Sequence, residues 1–332
     1  MSELDSPYSF HIVPPAHPIP TLAEDALQGL FDKPRSLPPK YFYDTRGSQL
    51  FDQICDTQEY YPTRIEAALL QHYAQGIIDL VRPQHILEFG SGTSRKTRHL
   101  LDASHGTQEP VCYWPFDICS TLLHDVARDL LREYPGLGVR AQCGDFTAGI
   151  DHLPQPPDRC LYLFLGGTIG NFDHQQALMF LSEVAAHMQP GDALLLGADR
   201  VKDHRVLHDA YNDSQGLTAA FNLNLLSVLN EELGAEFDPT LFNHHAHYNE
   251  AQQQIEMHLI PRTEHSVYFN HLEQSLNLGT DETILTEISR KFRPDDLRQL
   301  IEEAGLSQEA HFQPENGWFS LVLARKSKEW HL

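Results

Sequence analysis

From His85 to residue 198 the chain alternates strand-like apolar runs with helix-patterned segments, and no other feature restricts its fold as strongly. The runs fall at 85–89, 112–117, 139–143, 159–165 and 193–198. Between them lie segments such as 120–133 and 174–188, whose apolar residues recur at helical spacing. Strands joined through helices run parallel, with the crossovers packed on both faces of one sheet. A doubly wound α/β sheet is therefore predicted. Upstream, the spacing of Ala67, Leu69, Leu70, Tyr73, Ile77 and Leu80 predicts a helix before the first strand. The prolines at 14, 15, 18, 20, 34, 38 and 39 predict an irregular arm over residues 11–40 that lies over another part of the chain.

Past Asp199 the rhythm stops. A helical stretch over 203–232 and strands at 255–262, 266–270 and 283–289 read as an inserted second domain of α+β type. Arg293-Pro294-Asp295-Asp296 then opens a helix that runs through Ala304 and stops at Gly305. Strands around 308–312 and 317–324 complete the first sheet. The expected division is 65–200 plus 292–327 for the sheet domain and 11–64 plus 201–291 for the second.

Charge narrows the function. The 332 residues are 41% hydrophobic and 21% charged, the balance of a soluble globular protein. With 46 acidic against 24 basic residues the formal charge is −22, which repels phosphate backbones and anionic lipid. Neither nucleic acid nor membrane is an expected partner. The five cysteines form no C-x-x-C pair and read as reduced thiols. Residues 1–10, with Glu3 and Asp5, lack the basic region and apolar run of a secretory leader, so a cytoplasmic location is expected.

The sharpest local motif is Ile86-Leu87-Glu88-Phe89-Gly90-Ser91-Gly92-Thr93-Ser94, a strand entering a glycine turn before a helix. Such a turn lets a ligand approach the backbone closely, and unpaired N–H groups at the helix start receive its polar atoms. A dinucleotide fingerprint carries a third glycine where this chain has Arg95. S-adenosylmethionine, which has no phosphates, suits the turn better, with Glu88 orienting the turn or the cofactor's amino-acid end. Asp117, closing the second strand, can accept the ribose hydroxyls. Asp145 can accept the adenine amino group while Phe146 packs on the base. Each element also has an ordinary explanation, as a common turn or as helix-capping acids, but together they keep the order of a doubly wound nucleotide site.

Longer motifs extend this reading: Tyr43-Asp44-Thr45-Arg46-Gly47-Ser48-Gln49-Leu50-Phe51-Asp52, Glu59-Tyr60-Tyr61-Pro62-Thr63-Arg64, Leu165-Gly166-Gly167-Thr168-Ile169-Gly170-Asn171-Phe172 and Thr286-Glu287-Ile288-Ser289-Arg290-Lys291-Phe292. From Pro39 to Lys326 the chain resembles the histidine-specific Nα-trimethyltransferases that make hercynine for ergothioneine biosynthesis. The resemblance implies a class I methyltransferase core of Rossmann-like type beside a substrate-binding domain. It implies S-adenosylmethionine contacts from Tyr43, Gly90, Lys96, Asp117, Asp145 and Phe146, with S-adenosylhomocysteine as by-product. It maps the amino-acid site to Tyr60, Gly166, Asn171, Tyr211, Met257, Glu287 and Ser289. Tyr43 and Asn171 are the expected catalytic pair.

Chemistry supports that assignment. Asn171 and Tyr211 can donate to an amino acid's carboxylate. Glu287 and Ser289, at i and i+2 on a strand, can serve the two nitrogens of an imidazole. Asn171 is also a candidate cap for the following helix. Alternatives remain: an acceptor such as tyrosine or a tryptophan derivative, a non-catalytic S-adenosylmethionine-binding protein, or a nicotinamide oxidoreductase. The run His244-His245-Ala246-His247 has no Cys or acidic residue at ligand spacing beside it, so it reads as local packing and no metal is expected. A monomer acting on free L-histidine is the expectation.

Overall fold

The computed structural model of the protein describes residues 6–105 and 111–326. Residues 1–5, which hold Glu3 and Asp5, and residue 327, the expected end of the sheet domain, lie outside the described residues. In chain order come β1 (Tyr8–Ile12), α1 (Leu22–Leu30), β2 (Arg35–Ser36), α2 (Thr45–Cys55), α3 (Pro62–Val81), β3 (His85–Phe89) and α4 (Arg98–His105). Next are β4 (Cys112–Asp117), α5 (Ser120–Glu133), β5 (Gly138–Cys143), β6 (Cys160–Phe164), α6 (His174–His187) and β7 (Ala193–Asp199). After β7 come α7 (His204–Ala210), α8 (Leu217–Leu233), β8 (Phe242–Asn249), β9 (Gln254–Pro261), β10 (His265–Phe269) and β11 (Gln274–Leu278). The series ends with β12 (Ile284–Arg290), α9 (Pro294–Glu303), β13 (Leu306–Phe312) and β14 (Phe319–Lys326). Among the described residues, no helix is long and apolar enough to cross a membrane.

The chain forms two compact units: the described parts of Met1–Ile19, Ile65–Arg200 and Phe292–Leu332, and the segments Pro20–Arg64 and Val201–Lys291. The first unit holds an eight-stranded sheet in the order β1-β5-β4-β3-β6-β7-β14-β13. Its strands pair in parallel from β1 to β7, and β14 and β13 add an antiparallel end. Successive side chains of a strand point to opposite faces, and both faces are covered here. Leu87, Phe89, Tyr162 and Phe164 pack with Phe180 and Leu181 of α6 and Leu297 and Leu300 of α9. Ile86, Tyr113, Leu161 and Leu163 pack with Leu70 and Ile77 of α3 and Val126 and Leu130 of α5. Burial on both faces explains why these strands read as continuous apolar runs. Because β3 bonds β4 on one side and β6 on the other, the strand order reverses there. A ligand crevice opens at such a reversal, beyond the carboxyl ends of the strands.

The arm expected over residues 11–40 is more regular than its prolines imply. β1 adds a parallel edge strand beside β5, the Val13 N–H donates to the Cys143 carbonyl at 2.8 Å, and Val13 enters the core. Residues 11–19 therefore side with the sheet rather than with the second unit. Beyond them α1 begins at a capping box in which the Thr21 hydroxyl accepts from the Glu24 N–H and Glu24 accepts from the Thr21 N–H.

The second unit holds a four-stranded sheet, β2-β12-β9-β8, and the hairpin β10-β11. The stretch 203–232, expected as one helical segment, breaks at residues 211–216. There the Asp213 carboxylate accepts from the N–H groups of Leu217 and Thr218, and Gly216 sits at φ +73°. On α8, buried Asn222 donates to the His258 carbonyl at 3.0 Å and to His244 Nδ1 at 2.9 Å, and accepts from the Thr286 hydroxyl at 2.7 Å. One amide thus ties the helix to β8, β9 and β12.

Candidate active site

β3 ends at Phe89, and the chain turns through Gly90 and Gly92 at φ +65° and +49°, a region that glycine enters without steric cost. The Gly90 N–H donates to the Phe116 carbonyl at 2.8 Å and the Gly92 N–H to Asp117 Oδ2 at 2.9 Å. A Cβ placed on Gly92 would meet nothing within 4 Å, and one on Gly90 would meet only the Phe146 ring, at 3.6 Å. Space for a ligand therefore lies directly over this backbone. Ser91 Oγ is buried in the turn without a hydrogen-bond partner.

Asp117 and Asp145 do act as local caps, and both keep acceptor capacity. Asp117 Oδ1 accepts from the Cys119 N–H at 3.0 Å, leaving a lone pair on each oxygen. Asp145 Oδ1 takes the Thr147 N–H at 2.8 Å and hydroxyl at 2.6 Å, and Oδ2 is uncommitted. The Phe146 ring stands edge-on to Phe89 and Phe116 at 6.0 and 6.2 Å. An open glycine turn, an orphaned buried hydroxyl, a diol acceptor and a second carboxylate beside an aromatic face fit S-adenosylmethionine.

Glu88 reaches this turn at its far end, through Thr97 and, by way of Tyr113, Ser94. It is 3% exposed, faces the packed interior, and accepts from the Thr97 hydroxyl at 2.6 Å and from the Tyr113 hydroxyl. Burial without a dedicated cation pushes its carboxyl up to about 7. A carboxylate that sequence reasoning missed lies nearer the crevice. Glu66, fully buried on α3, pairs with Lys96 and accepts the Gly166 N–H on both oxygens, at 2.9 and 2.8 Å. Its position in the first turn after Tyr61-Pro62-Thr63-Arg64 was the available signal. Gly166 at φ +84° opens the turn after β6, and Asn171 ends the short 3-10 helix Thr168–Asn171. Asn171 is not the cap of α6. Asp173 is, with its carboxylate accepting the Gln176 N–H at 2.8 Å.

The remaining candidates belong to the second unit. Tyr60, Tyr211, Met257 and Glu287 line a pocket of about 270 Å³, including its open mouth, together with Phe51, Ile54, Ala210, Thr218 and Phe221. Glu287 follows a β-bulge in β12 and pairs with Met257 of β9, a kink of the kind that re-aims side chains beside functional sites. Tyr60 meets Tyr211 edge-on at 6.2 Å and Phe51 at 6.1 Å. Tyr43 meets Phe51 at 5.8 Å and Phe221 at 5.9 Å. Tyr43 is 49% exposed, yet desolvation first and the Glu287 charge second raise its phenol pKa well above the ordinary value. Desolvation likewise raises Tyr60 strongly, with Tyr211 the next cause.

Ser289 is not among the residues lining that pocket and is buried behind Tyr211. The Tyr211 hydroxyl donates to Ser289 Oγ at 2.7 Å, and buried Lys291 donates to Ser289 Oγ at 2.8 Å and to the Tyr211 hydroxyl at 3.0 Å. The Tyr211 proton is therefore committed to Ser289 rather than offered to a carboxylate. Lys291, absent from the sequence-predicted set, places a positive charge beside them. His244 Nδ1 accepts from Asn222, so Nε2 carries the proton and donates to the Tyr211 carbonyl at 3.0 Å. Both ring nitrogens of His244 are thus engaged within this unit.

A family model describing histidine-specific, S-adenosylmethionine-dependent methyltransferases matches residues 22–326. The chain is 44% identical over 303 residues to a histidine N-alpha-methyltransferase of Mycolicibacterium smegmatis, covering 91% of this chain and 94% of that one. It is 43% identical over 305 residues to the protein of the same name from Mycobacterium tuberculosis, covering 92% and 95%. Ergothioneine biosynthesis protein 1 of Neurospora crassa is 28% identical over 316 residues, which are 91% of this chain and 34% of that longer one. Family model, relatives and glycine turn agree: the chain belongs to the histidine-specific, S-adenosylmethionine-dependent methyltransferase family.

Proposed function

We propose that the protein methylates the α-amino nitrogen of free L-histidine in three successive transfers, giving hercynine and three equivalents of S-adenosylhomocysteine. Glu287 carries this reading: its half-buried carboxylate lines a small aromatic pocket, where it can accept the N–H of an imidazole. An imidazole N–H satisfies it, and the Ser289 hydroxyl, fed by Tyr211 and Lys291, serves the other ring nitrogen directly or through water. Side chains lacking that N–H are disfavoured because they forgo this bond.

The bound cofactor supplies an electrophilic methyl and its own leaving group. The chain's residues bind and orient. Asp117 accepts the ribose hydroxyls, Asp145 the adenine amino group, and Phe146 covers the base. Gly90 gives the close approach, Lys96 contacts the cofactor, and Glu66, paired with Lys96, holds the turn at Gly166. Asn171, which follows Gly166 in the first unit, donates to the substrate carboxylate, and Tyr60 and Met257 line the pocket of the second unit. Tyr43 and Asn171 align the neutral amine, where positioning supplies most of the acceleration. The phenols of Tyr43 and Tyr60, raised by burial, stay protonated at working pH and so orient rather than abstract. Water carries away each proton, while the faces of Tyr43, Tyr60, Phe51 and Phe221 accommodate the growing cation.

The test incubates the purified protein with S-adenosylmethionine and an equimolar mixture of the twenty amino acids and follows mass gains of one, two and three methyl groups. Histidine gaining three, with the activity lost in Glu287→Ala, supports the assignment. Methylation of a different amino acid removes the imidazole reading and leaves the family membership intact.

A further inference from the structure

We propose that β8 and β9 form a binding site for one divalent transition-metal ion of the zinc class, held by His247, Glu256 and His258 on the sheet face opposite Met257. The antiparallel register places Asn249 opposite Gln254, His247 opposite Glu256 and His245 opposite His258. Because strand side chains alternate, these six share one face, while Ile255, Met257 and Leu259 are buried on the other. The acidic partner that linear spacing around the histidine run does not contain is thus supplied across the ladder.

The donors are already gathered. Ligand atoms of His247, Glu256 and His258 all lie within 4.8 Å of one another. Glu256 Oε2 is 3.4 Å from His258 Nε2 and 3.6 Å from His247 Nε2. Donors bound tetrahedrally at about 2.0–2.2 Å from a zinc ion stand roughly 3.3–3.6 Å apart, so little rearrangement is needed. The carboxylate is also held in advance. Its Oε1 accepts from the Asn249 amide at 2.9 Å and the Gln254 amide at 2.8 Å, leaving Oε2 toward the imidazoles. Outer hydrogen bonds of this kind orient metal ligands. The rings of His245 and His258 stack on that of His247 at 5.2 and 5.5 Å, with interplanar angles of 24° and 18°. Nδ1 of both His247 and His258 is buried without a hydrogen-bond partner.

A single imidazole hydrogen-bonded to Glu256 would not explain this arrangement, since two rings converge on the same oxygen and a third lies beside them. Two imidazoles and one carboxylate select zinc, cobalt, nickel or copper over magnesium and calcium. The remaining position falls to water or to His245. An ion there would clip edge strand β8 to β9, the strand whose reverse face presents Met257 to the pocket.

The experiment uses full-length, tag-free protein stripped with chelator and titrated first with Co²⁺, then with Zn²⁺. The expected result is one Co²⁺ per chain with a visible ligand-field band, no thiolate charge-transfer band, and displacement by Zn²⁺. Affinity should fall at least about tenfold in His247→Ala and in Glu256→Gln, and by ~10–100-fold in Asn249→Ala. The His247 side chain is 41% exposed, so its truncation spares the fold, which circular dichroism and S-adenosylmethionine binding verify. Absence of stoichiometric binding, binding that persists in His247→Ala and Glu256→Gln, or a thiolate band overturns the proposal.

Discussion

Glu66 and Glu88 are both carboxylates shut away from water, and they are held in different ways. Glu66 has Lys96 and a backbone N–H; Glu88 has two neutral hydroxyl donors. Removing one partner of a buried pair typically costs ~3–5 kcal/mol, because the other charge is left uncompensated. Glu66→Ala is therefore expected to lower stability by about that amount, read from urea midpoints, and to weaken S-adenosylmethionine binding. For Glu88 the sign differs from that of an ion-paired acid. Its folded pKa of about 7 lies above the ordinary 4.5, so the folded state keeps a proton that the unfolded chain loses. Stability falls as pH rises from about 4.5 to about 7 and levels off above, a loss of order 3 kcal/mol at ~1.4 kcal/mol per pH unit. Urea midpoints at pH 5, 6, 7 and 8 should show that slope in the native chain and a flattened one in Glu88→Gln. The raised phenols of Tyr43 and Tyr60 predict that kcat/KM climbs with pH as the substrate amine deprotonates, with no decline from phenol ionisation up to about pH 10. A rising limb that vanished in Tyr43→Phe or Tyr60→Phe would instead make that tyrosine the titrating group.

At the scale of elements, Gly47 shows how tightly α2 is seated. A Cβ there would stand 1.7 Å from the Phe42 carbonyl oxygen, a backbone atom that cannot step aside. Gly47→Ala is expected to destabilise the second unit and reduce histidine turnover through a higher KM, checked by thermal melting beside steady-state kinetics. The five core strands were legible because burial on both faces makes each a continuous apolar run. The glycine turn was legible because its conformation demands glycine. β8 was not: of Phe242-Asn243-His244-His245-Ala246-His247-Tyr248-Asn249 only Phe242 and Ala246 are buried, four residues apart, so no period of two emerges. β1 escaped because a five-residue edge strand with exposed Ile12 leaves almost no apolar signature. The Thr21-Leu22-Ala23-Glu24 capping box was readable and lay hidden among prolines. In the site, residues fixed by local motifs, such as Asp117 and Asp145, could be read along the chain. The pairing of Glu66 with Lys96 and Gly166, the role of Lys291 and the Tyr211–Ser289 bond depend on residues brought together only by the fold and could not.

For the whole molecule, most proposed cofactor contacts come from the first unit and most amino-acid contacts from the second. That division predicts separable defects. Asp117→Ala should abolish S-adenosylmethionine binding measured by calorimetry, whereas Glu287→Ala should leave it unchanged and lose histidine turnover. The second unit also presents two kinds of chemistry on one strand, with Met257 facing the pocket and Glu256 and His258 facing away. Shifting a strand by one residue moves every side chain to the other face. Losing a single residue from the turn 250–253 would therefore exchange the two surfaces, sending a carboxylate and an imidazole inward and a thioether outward. Substitutions can drift along β9 one position at a time, but its reading frame against β8 and β12 cannot slip, so length in that turn should be inherited far more strictly than its composition.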